Sequence, residues 1–425
     1  MLPPGHLSRR SLLAAGAGGL ALTAAGCGAG SGGSGPDPVR FFQNKPEVIG
    51  YFGDLVAEFN ASQDGVRAVH DSSQTALVPQ FVRNQPPDLA AWNYTLEVGN
   101  YVATGVLTDL SDLPEAQRVD PQYQDLVDQF ATNEGETNVL PYSVASAGVI
   151  YNQDLFERFD VAVPTTWSEL LAACETFAAA DVTPLYSTYA ETWTISQGLF
   201  DYCTGSALDV AGFFADLREL GPDAGPDAEV SFSNQFREPV EKMLQLAAFS
   251  NRDAASRDYA DGNLAFGRGE AAMYFQGPWA LGELEKVDPD LRFGTFPLPM
   301  TEDPSEARAR VNLDLALWIP TASSYQGAAR EMLQWLMQDE VIARYNADNL
   351  ATSPLLDAQP LEDPRLVGLQ EALQEGRIYQ GANTYVPLTI PLSNYLQEAV
   401  RSGDAETFLR RLDEDWARLA TRSAA

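Results

Sequence analysis

The sequence predicts an α/β fold of mainly parallel sheets flanked by helices and divided between more than one domain. Three observations predict it. Short apolar strands alternate with amphipathic helices from residue 39 onward, the pattern of strand–helix–strand units. The chain has 425 residues, more than one domain of ordinary size holds. Its residues are 45% hydrophobic, 10% aromatic and 20% charged, which is globular material rather than a disordered polymer.

Taken in order, Val39-Arg40-Phe41-Phe42 reads as the first strand. It leads into Val48, Tyr51, Phe52, Leu55, Val56 and Phe59, whose spacings of three and four share one helical face. Val66 to Val69 is a second strand, Leu77 to Val82 a helix, and Asp88 to Trp92 a third strand. Val144 to Tyr151 reads as one buried strand, followed by a helix from Gln153 to about Phe159. Thr166 with Glu169 three places on is a capping box that opens the next helix. Gly221, Pro222, Gly225 and Pro226 mark a loop over 221–229. Helices are expected over 235–250 and 325–346, and Leu313 to Ile319 is an apolar strand interrupted by Asp314. Arg365 to Glu375, Leu392 to Arg401 and Ala405 to Leu419 read as closing helices.

Acidic residues number 59 against 27 Lys plus Arg, a formal charge of −32 that repels a phosphate backbone and excludes nucleic-acid binding. Two histidines, His6 and His70, and three cysteines are too few for a His-based metal or catalytic site, so neither metal nor cofactor is expected. No P-loop sequence occurs. Arg9 and Arg10 precede an apolar run from Leu12 to Ala25, too short to span a bilayer, so residues 1–26 read as an export signal. Ser8-Arg9-Arg10-Ser11-Leu12-Leu13 is similar to a twin-arginine signal, with general secretion the alternative. Small residues then precede Cys27, and a Gly/Ser tether fills 28–36. That arrangement resembles a bacterial lipobox, with Cys27 as the lipidated residue and the body held to the outer face of the cell membrane. Without residues 1–26 the chain has 25 basic residues against 59 acidic, a charge of −34. Cys174 and Cys203 remain as a candidate disulfide, against the alternative of buried free thiols in their apolar surroundings.

In open α/β sheets, ligands bind beyond the carboxyl ends of the strands. Gln43-Asn44-Lys45 follow the first strand, and Trp92-Asn93-Tyr94 end the third. Amide and ammonium groups with a flat indole suit a polyhydroxylated ring, which stacks through its C–H face and is hydrogen-bonded at its edge. Asp314, acidic in mid-strand, needs partners if buried, and either sugar hydroxyls or backbone amides would serve.

The order of segments resembles the extracellular sugar-binding proteins of ABC importers, the family of maltose-binding protein. Four stretches carry the resemblance. Asn138 to Ser143, running into Val149-Ile150-Tyr151-Asn152-Gln153-Asp154-Leu155-Phe156, is similar to the family's crossover between lobes. Pro164 to Leu170 matches "P-x-T-W-x-E-L", and Phe266 to Ala280 matches "F-x-x-G-x-A-A-M-x-x-x-G-P-W". Phe293 to Pro299 resembles "F-G-x-x-P-L-P". The resemblance implies a two-lobed, type II-like periplasmic-binding-protein fold, with lobe 1 over 37–143 plus 298–349 and lobe 2 over 144–297 plus 350–425.

It also implies a receptor, not an enzyme, that closes on a di- or oligosaccharide and delivers it to the membrane subunits of an ABC permease, working as a monomer. By position Trp279 resembles the second-lobe stacking Trp and Trp92, followed by Asn93, the first-lobe aromatic, while Asn44 and Lys45 fall where the family's first strand offers polar ligands. Glu191 and Trp193 align with a Glu and an aromatic of the second lobe, Tyr142 falls at the hinge, and Asn312 and Asp314 lie on the returning strand. Tyr385 joins the candidates without a motif behind it. The alternatives are the same clamp for a polyamine or a glycerol phosphate, and an exported glycoside hydrolase using a pair such as Glu191 and Asp314.

Overall fold

The computed structural model describes residues 38–359 and 361–423, within a compact unit that begins at Pro38. The export signal 1–26, Cys27 and the tether to residue 36 lie outside the described residues. Ten strands are present among them: β1 (Val39–Phe42), β2 (Ala68–Asp71), β3 (Leu89–Trp92), β4 (Leu140–Ala147), β5 (Val149–Asn152), β6 (Thr183–Tyr186), β7 (Ala271–Tyr274), β8 (Phe293–Phe296), β9 (Ala309–Trp318) and β10 (Ile378–Tyr379). They form two sheets, one in the order β10-β9-β3-β1-β2 with β4 also on β9, the other in the order β6-β7-β5-β8.

The first sheet is covered on both faces. Successive side chains of a strand point to opposite sides, so Phe41 packs under the helix Ile49–Ser62 while Phe42 faces Tyr94, Val98 and Tyr123. That helix buries Phe52, Leu55, Val56 and Phe59 on the face the sequence predicts, each worth about 1.5–3 kcal/mol of transfer free energy. The second lobe has a phenylalanine-rich core in which Phe213, Phe232 and Phe236 meet edge-on or tilted within 5.1 Å. The C-terminal helix Ala405–Ser423 closes that core, and its buried Asp413 accepts hydrogen bonds from the backbone N–H groups of Phe232 and Ser233.

Local signals placed several boundaries. Thr166 and Glu169 form the capping box at the start of the helix Trp167–Ala179. The helix Leu77–Val82 has the predicted ends. Other expectations are corrected. The single strand expected over 144–151 is two, β4 in one sheet and β5 in the other, parted by Gly148. A Cβ there would lie 2.5 Å from the Phe296 carbonyl oxygen, so the chain turns between sheets where only glycine fits. The expected helix 325–346 is Gln326–Leu336 and Asp339–Asp348. Gln338 turns extended between them, and Asp339 and Glu340 favour a new helix start there. Likewise 235–250 is Phe232–Gln235 followed by Arg237–Ala247.

The sheets are mixed where the alternation predicts mainly parallel ones. The pairs β1–β2, β1–β3, β9–β10 and β6–β7 are parallel. The antiparallel pairs β3–β9, β4–β9, β5–β7 and β5–β8 all involve strands that enter or leave a crossing between the sheets. β4 stays in the first sheet as far as Ala147, and β10 joins that sheet from within 350–425.

A buried ion pair ties the two halves. Arg310 of β9 donates to Asp201, which begins the second-lobe helix Asp201–Ala207, at 2.9 Å, and both side chains are almost fully shielded from solvent. Burial pushes the Asp201 carboxyl up, against the pull of Arg310 and of the Asn383 N–H.

Cys174 and Cys203 are free thiols buried in the second-lobe core. Burial pushes the Cys174 thiol up to about 12 and that of Cys203 higher still, so both stay protonated and unreactive. In a Cys27→Ser chain, a thiol reagent should therefore find no reactive cysteine in the native state and two per chain in urea without reductant. A count of zero in urea would reveal a bridge.

Candidate functional site

Two facing bulges build the first wall. β4 and β9 pair antiparallel from Leu140↔Leu317 to Ala147↔Arg310, but Pro141↔Ala316 is followed by Ser143↔Leu315 and then Val144↔Leu313. Tyr142 is the extra residue on β4 and Asp314 the extra residue on β9. Bulges re-aim side chains. The Asp314 carboxylate, its side chain 9% exposed, takes the Lys45 ammonium at 2.7 Å on each oxygen. Lys45 stands between β1 and the turn Pro46–Val48, so the pair joins the end of β1 to the middle of β9.

Around this pair the predicted residues fall as follows. Asn44 donates to the Ser73 carbonyl at 3.0 Å, and Gln74 donates to the Asn44 carbonyl, stapling the chain after β1 to the chain after β2. Trp92, half-buried, lies opposite Ala316, and the Tyr94 N–H reaches the Leu313 carbonyl, so the exposed Asn93 sits alongside the Asp314 bulge. Asn312 is half-buried opposite Ala145. Gln43, the first residue after β1, is fully buried, and neither atom of its amide group has a hydrogen bond within the chain.

The second wall is aromatic. Glu191 accepts from the Trp193 indole N–H at 2.7 Å on one oxygen and from the Tyr259 backbone N–H at 2.9 Å on the other. The Trp193 and Tyr259 rings lie 5.2 Å apart and 57° from coplanar, forming an angled corner. Trp279 follows the Gly277-Pro278 turn and donates its indole N–H to Gln276 at 3.0 Å. A Cβ on Gly277 would lie 2.2 Å from the Trp279 ring, which fixes glycine there. The turn Pro278–Ala280 lies beside β4, and the half-buried Trp279 ring packs on the second-lobe cluster that includes Ile150, Phe266 and Leu281. Glu47, two residues after Lys45, lies close enough to Tyr259 to act on it. The Tyr259 hydroxyl is pushed up to about 12, mainly by burial, with Glu283, Glu47 and Glu191 adding to it against a hydrogen bond from Asn263.

Two predicted residues are not part of this cleft. The Tyr142 ring is fully buried in the first-lobe core, 5.4 Å from Tyr345 and 6.4 Å from Phe52. Tyr385 is 1% exposed and stacked between Phe130 at 4.7 Å and Phe214 at 5.0 Å, with its hydroxyl on the Gln129 side chain. Tyr259, Gln276 and Glu47 stand beside predicted residues without having been predicted themselves. Gln276 could have been found as an amide beside a chosen position, whereas nothing in the sequence marks Tyr259 beyond its place at the head of a capped helix. Among the described residues no cluster of His, Cys, Asp and Glu is arranged to hold a metal ion, and no helix is long and apolar enough to cross a membrane.

Two sheets joined by crossing strands, with a charged and amide cluster beside the first and an aromatic cluster beside the second, make a two-lobed architecture. Residues 47–343 match the bacterial extracellular solute-binding protein family, and the chain belongs to that family. A maltotriose-binding protein of Pyrococcus abyssi is 22% identical over 343 residues, 78% of this chain and 70% of its own. A probable sugar-binding periplasmic protein of Mesorhizobium japonicum is 25% identical over 259 residues, 59% of each chain. The ligand-free RafE of Streptococcus pneumoniae superposes with a TM-score of 0.76 at 19% identity, over 91% of this chain and 99% of RafE. A sugar transporter from Bacillus licheniformis in complex with stachyose gives 0.70 at 14% identity, over 90% of this chain and all of its own.

The Lys45–Asp314 pair lies between 9% and 17% exposed, so each charge depends on the other. Asp314→Ala should cost about 1.5–3 kcal/mol in urea denaturation of the ligand-free protein, because it strands a shielded ammonium. Replacing both, as Lys45→Met with Asp314→Leu, should restore most of that. An unchanged midpoint in the single variant would show that the pair contributes nothing.

Proposed function

We propose that this protein is an extracytoplasmic receptor for a di- or oligosaccharide, held to the outer face of the cell membrane through a lipid on Cys27 and serving the permease of an ABC importer. One observation carries the sugar reading. Both second-wall indoles have their N–H groups already taken, Trp193 by Glu191 and Trp279 by Gln276, and both remain half-buried. Such rings offer faces rather than donors, which suits the C–H face of a pyranose at about 0.5–1.5 kcal/mol per stack. Maltotriose and stachyose, which the names of the relatives carry, are oligosaccharides of that kind.

In this reading the lobes, 37–143 plus 298–349 and 144–297 plus 350–425, move about the crossing strands. A ligand touching both walls favours the closed state by its differential affinity for the two. The ligand's hydroxyls meet the Lys45–Asp314 pair and the Asn44 and Asn93 amides, and a mismatched ligand leaves such groups unpaired. The monomer carries the function, with no cofactor. A hydrolase reading is disfavoured because Glu191 and Asp314 each have both oxygens engaged, which leaves neither free as acid or nucleophile.

Calorimetric titration with a panel of mono-, di- and trisaccharides, a polyamine and glycerol phosphate should give micromolar or tighter binding to at least one oligosaccharide. Trp279→Ala should abolish it with little change in the melting transition. Silence across the sugars together with a hit on the polyamine or phosphate would overturn the sugar reading. A large loss of stability in Trp279→Ala would mark that indole as a core residue.

A further inference from the structure

Glu191 hydrogen-bonds to both members of the aromatic corner. Its two oxygens run to different segments: one to the indole N–H two residues on, the other to the backbone N–H that opens the helix Tyr259–Gly267. A carboxylate accepts two such bonds without leaving a lone donor unpaired, and at a helix N-terminus it also meets the positive end of the backbone dipoles. The helix has its own cap, since Asp258 and Asp261 form a capping box there, so the Glu191 bond is additional to what the helix needs for its start. Trp193 sits in a short helical turn, Thr192–Thr194, with its half-buried ring against Tyr259, and the Glu191 bond fixes the polar end of that ring.

We propose that Glu191 is a positioning residue and not a sugar ligand: it brackets Trp193 and the Tyr259 segment into a rigid corner, and it contributes to affinity only through the rings it holds. This rests on the sugar reading above and gives it a sharper form. A fixed corner of two rings 57° apart admits a pyranose against one ring with its edge toward the other, which sets the angle at which the ligand enters. Pre-organisation of this kind raises affinity by removing the ordering cost of the ring, without a new contact to the ligand.

The test is a double-mutant cycle on the full chain, read by calorimetry with the panel sugar that the wild type binds. Glu191→Ala and Trp193→Phe should each weaken binding about tenfold, since each breaks the same charge-assisted bond. The double variant should be no more than about twofold weaker than the worse single one. Glu191→Gln keeps one acceptor oxygen and sets its NH2 against the other N–H donor, so its affinity should fall between wild type and Glu191→Ala. Multiplying losses in the double variant, or an unchanged affinity in Glu191→Ala, would overturn the bracket, the first by making Glu191 a direct ligand. Hydrogen exchange of the Trp193 indole N–H reads the bracket without any sugar. It should be slow in wild type and fast in Glu191→Ala, and equal rates would overturn the inference. Silence of the wild type toward every sugar would instead overturn the binding reading and leave the exchange result to stand alone.

Discussion

The antiparallel pairing of β4 with β9 is the constraint on which the rest of this molecule depends. β4 carries the chain out of the first sheet toward the second, and β9 brings it back. Because the two run side by side, the crossing is a hydrogen-bonded ribbon and not two loose linkers. The ribbon's far end holds Arg310, whose guanidinium reaches into the second lobe to Asp201. Its middle holds the paired bulges that turn Tyr142 into the core and Asp314 toward Lys45. One structural element therefore sets the sheet order, the connection between lobes and the charged centre of the cleft.

The two walls solve the problem of burying polar groups in different ways. On the first, a cation and an anion satisfy each other while remaining at the edge of solvent. On the second, the polar ends of the aromatics are tied off by Glu191 and Gln276, leaving apolar faces. A sugar has the complementary division, hydroxyls at its rim and C–H bonds on its faces. This division, rather than the chain's large negative charge, gives the cleft its chemistry. The acidity says nothing about which ligand is bound.

Much of the fold was legible in the sequence, and the exceptions share a cause. Periods of three and four placed the helix Ile49–Ser62, and a capping box placed the helix Trp167–Ala179, because both signals are local. The break at Gly148 was not legible: what forbids a side chain there is the Phe296 carbonyl, a distant residue. The site shows the same divide. Asp314 stood out as an acid interrupting an apolar strand, but its bulge and its partner Lys45 are products of pairing across the fold. Tyr142 was chosen for its place at the hinge and Tyr385 without a motif, and tertiary packing buries both rings among other aromatics. Tyr259 went unseen because only the fold brings it beside Trp193.

The central claim is that the two walls close on a ligand held between them. Small-angle X-ray scattering of the mature chain with and without a saturating oligosaccharide tests it most directly, because closure changes the distance between lobes without changing mass. The radius of gyration should fall on saturation. An unchanged radius under conditions where calorimetry shows the site filled would contradict the clamp and leave a rigid binding protein in its place.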